Sequence, residues 1–131
     1  MEFANGIAAA GDRLFVNSFK EKQIVVFDRR TKEQERTIRL PAHPDNLLWE
    51  VPGKILNVAA VTSFWKAGLQ IATGIGGSDS IGYAVYVETG AIVKLYALDD
   101  YKGSSTALAY EGNVYIGQAV GDEIAVVADP R

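Results

Sequence analysis

The sequence lacks residue types that whole classes of function need. It contains no cysteine, which excludes disulfides, thiolate zinc sites and a cysteine nucleophile. It has a single histidine, His43, although a general base at neutral pH is most often histidine. Its longest apolar stretches are too short to span a bilayer, and no charged segment precedes an apolar one near the start. The sequence therefore predicts neither a transmembrane helix nor a signal peptide, and it leaves the cellular location undetermined.

A strong net charge is also missing. The formal net charge is −3, with acidic and basic residues interspersed. Binding to nucleic acid usually requires a basic stripe, so the charge distribution argues against that class of partner. The 131 residues are 48% hydrophobic, which is enough for one domain with a packed core and too much for a disordered chain.

What the sequence does have is an internal repeat. An apolar run, a glycine turn and a second apolar run occur three times, with the turns at Gly11, Gly53 and Gly112. These glycines are 42 and 59 residues apart, and a period near forty made only of strand-like segments is typical of β-propeller blades. We predict a single domain over residues 1–131 with three blades, at about residues 5–40, 45–99 and 105–129.

Alternating apolar residues and turn signals predict eleven short strands. In chain order they cover residues 7–10, 14–18, 23–27, 35–40, 47–50, 55–61, 83–87, 92–98, 107–110, 114–118 and 124–128. Two prolines within residues 41–44 predict an irregular crossover there. The third blade lacks a fourth strand, so sheet faces at both ends of the array would be exposed, and such surfaces attract partners.

An insertion at about residues 62–80 interrupts the second blade. Residues 64–71 are predicted to form a short helix, and the glycine-rich residues 74–77 a flexible loop. A loop of this length inside a compact blade is often functional, so we expect the insertion to form a wall of a binding pocket. Trp65 lies within it and is a candidate contact for substrate.

Short motifs at blade spacing resemble one known family. Phe3-Ala-Asn-Gly-Ile7, followed one blade later by Pro44-Asp-Asn-Leu47, is similar to the paraoxonase/arylesterase family and to its gluconolactonase-like (SMP-30) and strictosidine-synthase-like relatives. Gln23-Ile-Val-Val-Phe-Asp28 and the closing segment, residues 105–117, agree with the same pattern. The match covers most of the chain but only the C-terminal half of the family fold. The resemblance implies an all-β half of a six-bladed β-propeller, with its last blade incomplete, which homodimerisation would complete.

The resemblance also implies a calcium site. In that family asparagine and aspartate side chains at the starts of inner strands hold calcium in the central channel, and Asn5, Asp45 and Asn46 match three of those ligands. Oxygen donors of this kind suit calcium, which takes six to eight of them. The residues themselves leave two alternatives open, which are a simple turn into a strand at Asn5 and an Asx turn at Asp45-Asn46 that caps the crossover.

The departures from the family pattern are equally informative. The remaining calcium ligands and the histidines of the acid–base pair lie in the half of the family fold that this chain does not cover. Asp45 is the one ionic ligand left in each chain, and a single carboxylate makes a poor calcium site. Asp45 and His43 are weak candidates for a catalytic role, and Thr106 is a weak candidate for substrate contact.

Two functions of different classes follow from these observations. The first is a calcium-dependent lactone or ester hydrolase in which two copies of Asn5, Asp45 and Asn46 surround one channel, and the metal acts as a Lewis acid. The second is a non-catalytic module that binds a small molecule or a protein and has lost the acid–base residues of the family. A third possibility is that the chain is a piece of a longer protein, whose function belongs to the whole.

Overall fold

The computed structural model describes residues 1–131, and it is all-β apart from one helix. The elements are β1 (Ala4–Ala10), β2 (Arg13–Ser18), β3 (Gln23–Asp28), β4 (Gln34–Arg39), β5 (His43–Val51), β6 (Ile55–Val61), α1 (Phe64–Thr73), β7 (Asp79–Tyr86), β8 (Ala91–Lys102), β9 (Ser104–Tyr110), β10 (Asn113–Gln118) and β11 (Ile124–Ala128). The predicted eleven strands and the short helix in the insertion are therefore confirmed. No helix of the protein has the length and apolar character needed to cross a bilayer.

The strands form three antiparallel meanders. Strands β1 to β4 form sheet 1, β5 to β8 form sheet 2, and β9 to β11 form sheet 3, each in sequence order. The first strands of the three sheets are neighbours, because β1 contacts β5 and β5 contacts β9. The sheets are therefore stacked in chain order, with their first strands along one side.

The repeated glycines make the tight turns that the sequence predicts. Gly11, Gly53 and Gly112 have φ angles of 55°, 73° and 78°. Such positive values suit glycine, which has no Cβ. Gly11 and Gly112 lie in two-residue hairpin loops, which require positive φ, and Gly53 lies in a three-residue loop between Val51 and Ile55. A glycine with positive φ thus occurs in the turn that joins the first two strands of every sheet.

Two apolar cores lie between the sheets. The core between sheets 1 and 2 includes Phe15, Val26 and Leu56, all fully buried. The core between sheets 2 and 3 includes Tyr96 and Val114. Sheet 2 is buried on both faces, which explains why β6 is almost continuously apolar in sequence. These two cores therefore hold the three sheets together.

Buried asparagines link consecutive sheets. Asn17 of β2 donates from Nδ2 to the backbone oxygen of Asp45 at 2.7 Å. Asn57 of β6 accepts from the backbone N–H of Ala109 at 2.6 Å and donates to Glu50 Oε2 at 2.8 Å. Both asparagines are fully buried. In each case a side chain on the second strand of one sheet holds the first strand of the next.

The prediction of an irregular crossover over residues 41–44 is wrong at its second half. Strand β5 begins at His43, and Pro44 pairs with Ala60 in the ladder. β5 is the edge strand of sheet 2, where a proline's missing N–H costs least. Pairing with β6 and the burial of Pro44 therefore outweigh the tendency of proline to interrupt a strand.

The insertion is shorter than predicted because the outer strands of sheet 2 are longer. β7 begins at Asp79, so the irregular part of the insertion ends at Ser78 and not at about residue 80. Ser63 caps the N-terminus of α1 by accepting from the backbone N–H of Lys66 at 3.4 Å, and Gly74 ends the helix with φ of 71°. Both are common helix-boundary residues, so the position of α1 follows from local sequence.

Candidate functional site

Each first strand carries a β-bulge at the same end of its sheet. In β1 the extra residue lies within residues 5–6, in β5 it lies within residues 45–46, and in β9 it is Ser105. A bulge bends the strand and redirects the side chains at that point. Because β1, β5 and β9 are neighbours, the three bulges bring polar side chains to one place.

Hydrogen bonds connect these bulges across all three sheets. Asn5 Nδ2 donates to Asp45 Oδ1 at 2.5 Å, and Asn46 Nδ2 donates to Ser105 Oγ at 3.1 Å. Gly6 lets β1 approach this closely, since a Cβ on it would lie 2.7 Å from Asn46 Cα and 2.7 Å from the backbone oxygen of Asp45. We call the side chains of Asn5, Asp45, Asn46 and Ser105 the bulge cluster. The structure brings together the three residues that the sequence singled out as metal ligands, and it adds Ser105.

Asp45 is the electrostatic centre of the bulge cluster. Burial raises the pKa of its carboxyl above the ordinary value, while side-chain hydrogen bonds from Ser105 and Asn5 act in the opposite direction. No lysine or arginine forms an ion pair with Asp45. Removing a carboxylate from water disfavours its charged form, so a cation or a hydrogen-bond donor placed beside Asp45 would be stabilised there.

A pocket of about 370 Å³ opens beside the bulge cluster. Its walls come from the segment before β1, from the end of β2 and from α1, and its apolar side chains include Phe3, Phe19, Val61, Phe64 and Ile71. The ring of Phe64 lies 5.6 Å from that of Phe3 and 5.7 Å from that of Phe19. Part of the insertion, α1, thus forms one wall of a mostly apolar pocket of a size typical of small-molecule sites.

The polar lining of the pocket is sparse. Besides Asn5 and Asp45 it includes Gln70 of α1 and Ser104 of β9, and Asp45 is the only titratable side chain among the fourteen lining residues. Gln70 is buried and fits against two glycines, since a Cβ on Gly77 or Gly103 would collide with its amide. These few polar groups would orient a ligand whose body lies against the rings.

His43 is not part of this pocket lining. Its ring is buried, and Nδ1 donates to the backbone oxygen of Phe19 at 2.9 Å. The ring also packs against the side chains of Phe19 and Phe64, at centroid distances of 5.5 and 6.1 Å. The structure therefore gives His43 a packing role behind the pocket wall.

The two candidate substrate contacts lie elsewhere. Trp65 is on the outward side of α1 with 82% of its surface exposed, and it does not line the pocket. Thr106 lies in β9 opposite Gly117, beyond the bulge. Its neighbours Ser104 and Ser105 take the positions that we expected Thr106 to occupy. The shift of one or two residues is the effect of the bulge, which residue spacing alone does not reveal.

Sequence reasoning also missed Phe3, Phe19 and Gln70 as pocket residues. A signal for Ser105 was present, because it begins the third repeat copy just as Asn5 begins the first and Asp45 the second. No comparable signal marks the two phenylalanines, which reach the pocket from segments outside the repeat.

The bulge cluster suits a hard cation in the chemistry of its atoms but supplies little charge. Its donors are amide, hydroxyl and carboxylate oxygens, the types that calcium prefers. Nearby, Asn17 Oδ1 is a buried acceptor without a hydrogen-bond partner. Asp45 is the only acidic side chain in the cluster, and no group of three or more histidine, cysteine or acidic residues is present that could hold a metal. One chain therefore provides a partial ligand set.

Searches against models of known protein families and against curated proteins find no match for this chain.

Proposed function

We propose that the chain is half of a six-bladed β-propeller related to paraoxonases and gluconolactonases, and that it binds a small, largely apolar molecule at the bulge cluster. Three consecutive meanders with adjacent first strands support the propeller assignment, because that arrangement places the start of every sheet on one side. In a propeller that side faces the central channel. A second copy of the chain would supply the other half.

The observation that carries the binding function is a partly buried carboxylate at the end of an apolar pocket. Asp45 has no basic partner in the chain, and its burial is unfavourable unless something compensates for it. The three rings of Phe3, Phe19 and Phe64 would hold the body of the ligand, and the amides of Asn5 and Gln70 would orient its polar end. A lactone or an ester has this combination of an apolar body and a polar acceptor group.

A calcium ion would complete the site. Asn5, Asp45 and Asn46 would hold it, and the symmetry-related residues of a second copy would raise the set to two carboxylates and four amides. Such an ion supplies Lewis-acid polarisation of a ligand carbonyl. The residues of the chain would position that carbonyl, while α1 limits the access of water to the pocket.

A second candidate is binding without turnover. Its support is that Asp45, which would hold the metal, is the only titratable side chain in the pocket lining, so no second group is left to act as a base. His43 is not placed for that role, because its Nδ1 is bonded to Phe19 and its ring is packed in the pocket wall. A site that orients a carbonyl while its one carboxylate is committed to the metal would act as a receptor for the molecule.

The two candidates separate in one set of measurements. Calcium binding is measured by calorimetry, and a panel of lactones and aryl esters is assayed with calcium and with a chelator. Asp45→Asn keeps the size of the side chain and removes its charge, and Asp99→Asn, an exposed position on β8, is the matched control. We expect Asp45→Asn to weaken calcium binding at least tenfold and Asp99→Asn to leave it unchanged.

Calcium-dependent hydrolysis that Asp45→Asn abolishes would establish the enzyme. Ligand binding without hydrolysis would establish the receptor. A wild-type protein that binds neither calcium nor any member of the panel would show the proposed function to be wrong.

A further inference from the structure

We propose that two copies of this chain associate head to tail, with the outer face of sheet 1 on one copy packed against the outer face of sheet 3 on the other. This inference deepens the proposed function and rests on its half-propeller assignment. It names the surfaces that meet, which the propeller resemblance alone does not provide.

The outer face of sheet 1 is the one turned away from sheet 2. Register places Ile7, Val16 and Val25 in one row across three strands, and Ala9, Leu14 and Phe27 in the next. None of these six side chains belongs to either apolar core. The face is apolar along both rows: Ile7 is 61% exposed and Ala9 is exposed, Leu14 and Phe27 are half-buried, and Val16 and Val25 are buried.

The outer face of sheet 3 has the same character. Leu108, Tyr115 and Val126 form one row across its three strands and are 36%, 40% and 54% exposed. The next row contains Thr106 and Ile124, the latter 73% exposed. The opposite face of sheet 3 is the one buried against sheet 2, through Val114 and Ile116.

Successive sheets pack by one rule, which pairs two different faces. The face of sheet 1 that carries Asn17 packs on sheet 2, and the face of sheet 2 that carries Asn57 packs on sheet 3. The opposite face of sheet 2, with Leu56 and Val58, receives sheet 1. By this rule the outer face of sheet 3 corresponds to the faces of sheets 1 and 2 that pack on the next sheet in the chain. The outer face of sheet 1 corresponds to the face of sheet 2 that packs on the sheet before it. Each therefore fits the other and not itself.

Charge at the pocket end agrees with this pairing. Arg39 lies at that end of β4, on the outer face of sheet 1, and it forms no ion pair within the chain. Asp122 and Glu123 lie at the same end of sheet 3, immediately before β11, and both are exposed. Packing sheet 3 of one copy on sheet 1 of the other would bring these opposite charges together.

A twofold axis would use both faces of both copies. The contact from sheet 3 to sheet 1 would then occur twice, and no large apolar sheet face would stay exposed. A head-to-tail contact that failed to close in this way would instead propagate into a filament. The closed pair also places the two bulge clusters on the same side of their sheets, around one channel.

The test combines light scattering with mixtures of two blocked variants. The sheet 1 variant carries Ile7→Glu and Leu14→Glu, and the sheet 3 variant carries Leu108→Lys and Tyr115→Lys, so that the two altered faces carry opposite charges where they meet in a mixture. All four side chains are exposed or half-buried, so the fold is expected to survive, as circular dichroism will check. Trp65→Glu, an equally apolar and exposed position outside both faces, is the matched control.

We expect the wild type and Trp65→Glu to have twice the chain mass of 14.2 kDa, and each blocked variant alone to be monomeric. An equal mixture of the two blocked variants should recover the dimer mass, because one unaltered sheet 3 still meets one unaltered sheet 1. That recovery also demonstrates that both variants are folded.

Three outcomes would overturn the proposal: a monomeric wild type, a blocked variant that still dimerises alone, or a mixture that stays monomeric. Mass that grows with concentration would overturn the closed pair in favour of a filament. Ligand titrations on the same samples keep the two proposals apart, since the pocket is built from one chain and its binding can fail while the dimer forms, or persist while the dimer does not.

Discussion

The buried asparagine of β6 offers the sharpest test of how the sheets are held together. Asn57→Leu keeps nearly the same side-chain volume but removes both hydrogen bonds of the amide. The backbone N–H of Ala109 would be left buried without an acceptor, which costs about 1–3 kcal/mol. Glu50 would lose one donor but would keep its ion pair with Arg131 at 2.9 Å, so its share of the cost is smaller.

We therefore expect Asn57→Leu to lower the free energy of unfolding by about 2–4 kcal/mol, judged from the cost of orphaned and charge-assisted hydrogen bonds. For a domain of this size that corresponds to a fall in Tm of about 7–15 °C. Urea unfolding followed by circular dichroism at one fixed protein concentration measures the change.

Asn17→Leu is the matched control, because Asn17 is equally buried on the second strand of its own sheet and also bonds the first strand of the next sheet. Its Nδ2 makes one bond, to Asp45, and its Oδ1 has no partner in the wild type. Replacing it takes the donor away from the Asp45 oxygen but also removes a buried acceptor that is already unsatisfied. The two effects offset each other, so the loss should be about 1 kcal/mol or less. If Asn57→Leu unfolds no more easily than Asn17→Leu, the proposed role of Asn57 in joining sheets 2 and 3 is wrong.

Three further predictions test the packing and the site. Gly82→Ala should destabilise the protein by about 1–3 kcal/mol in thermal melts, because the added Cβ would collide with the ring of Tyr96. Gly68→Ala, whose Cβ meets nothing, should instead stabilise α1 by about 0.5–1 kcal/mol. Equal effects of the two substitutions would contradict this reasoning. Gly6→Ala should force β1 away from β5, and so it should weaken calcium binding as well as lower Tm. A lower Tm with unchanged calcium binding would contradict the idea that the close approach of β1 to β5 shapes the site. Burial raises the pKa of the Asp45 carboxyl above its ordinary value of 3.8, so its ionisation opposes folding as the pH rises through that raised pKa. In chelator, Asp45→Asn should therefore raise Tm at pH 7, and the gain should vanish as the pH falls below about 4; a gain that is constant with pH would exclude burial of the charge as its cause.

Local signals explain why much of the fold was predictable. The turns at Gly11, Gly53 and Gly112 need positive φ, and glycine supplies it, so their positions predict the first hairpin of every sheet. Ser63 and Gly74 mark the ends of α1 in the same local way. These features depend on a few neighbouring residues and leave a direct trace in the sequence.

The parts that sequence reasoning missed depend on residues far apart in the chain. Pro44 enters β5 because Ala60 pairs with it, which overrides the local tendency of proline to end regular structure. Phe19 and Phe64 meet across 45 residues at a pocket that exists only once α1 has folded over the sheet ends. Within the site, Asn5, Asp45 and Asn46 were predicted from a family resemblance carried by motifs at blade spacing, whereas the one-residue offset from Thr106 to Ser105 required the bulge to be seen.

The bulges have a consequence for how such a protein can diverge. In β5 the ladder is regular from Leu47 to Trp49, and within residues 45–46 the strand holds one residue more than β6 requires. Deleting that extra residue would restore an uninterrupted ladder from His43 to Trp49 and leave the alternation of inward and outward side chains unchanged on either side. The polar residues of the site are therefore additions to the framework that supports them. A lineage could exchange, gain or lose them one at a time, and so change what the pocket binds, without any strand having to find a new register.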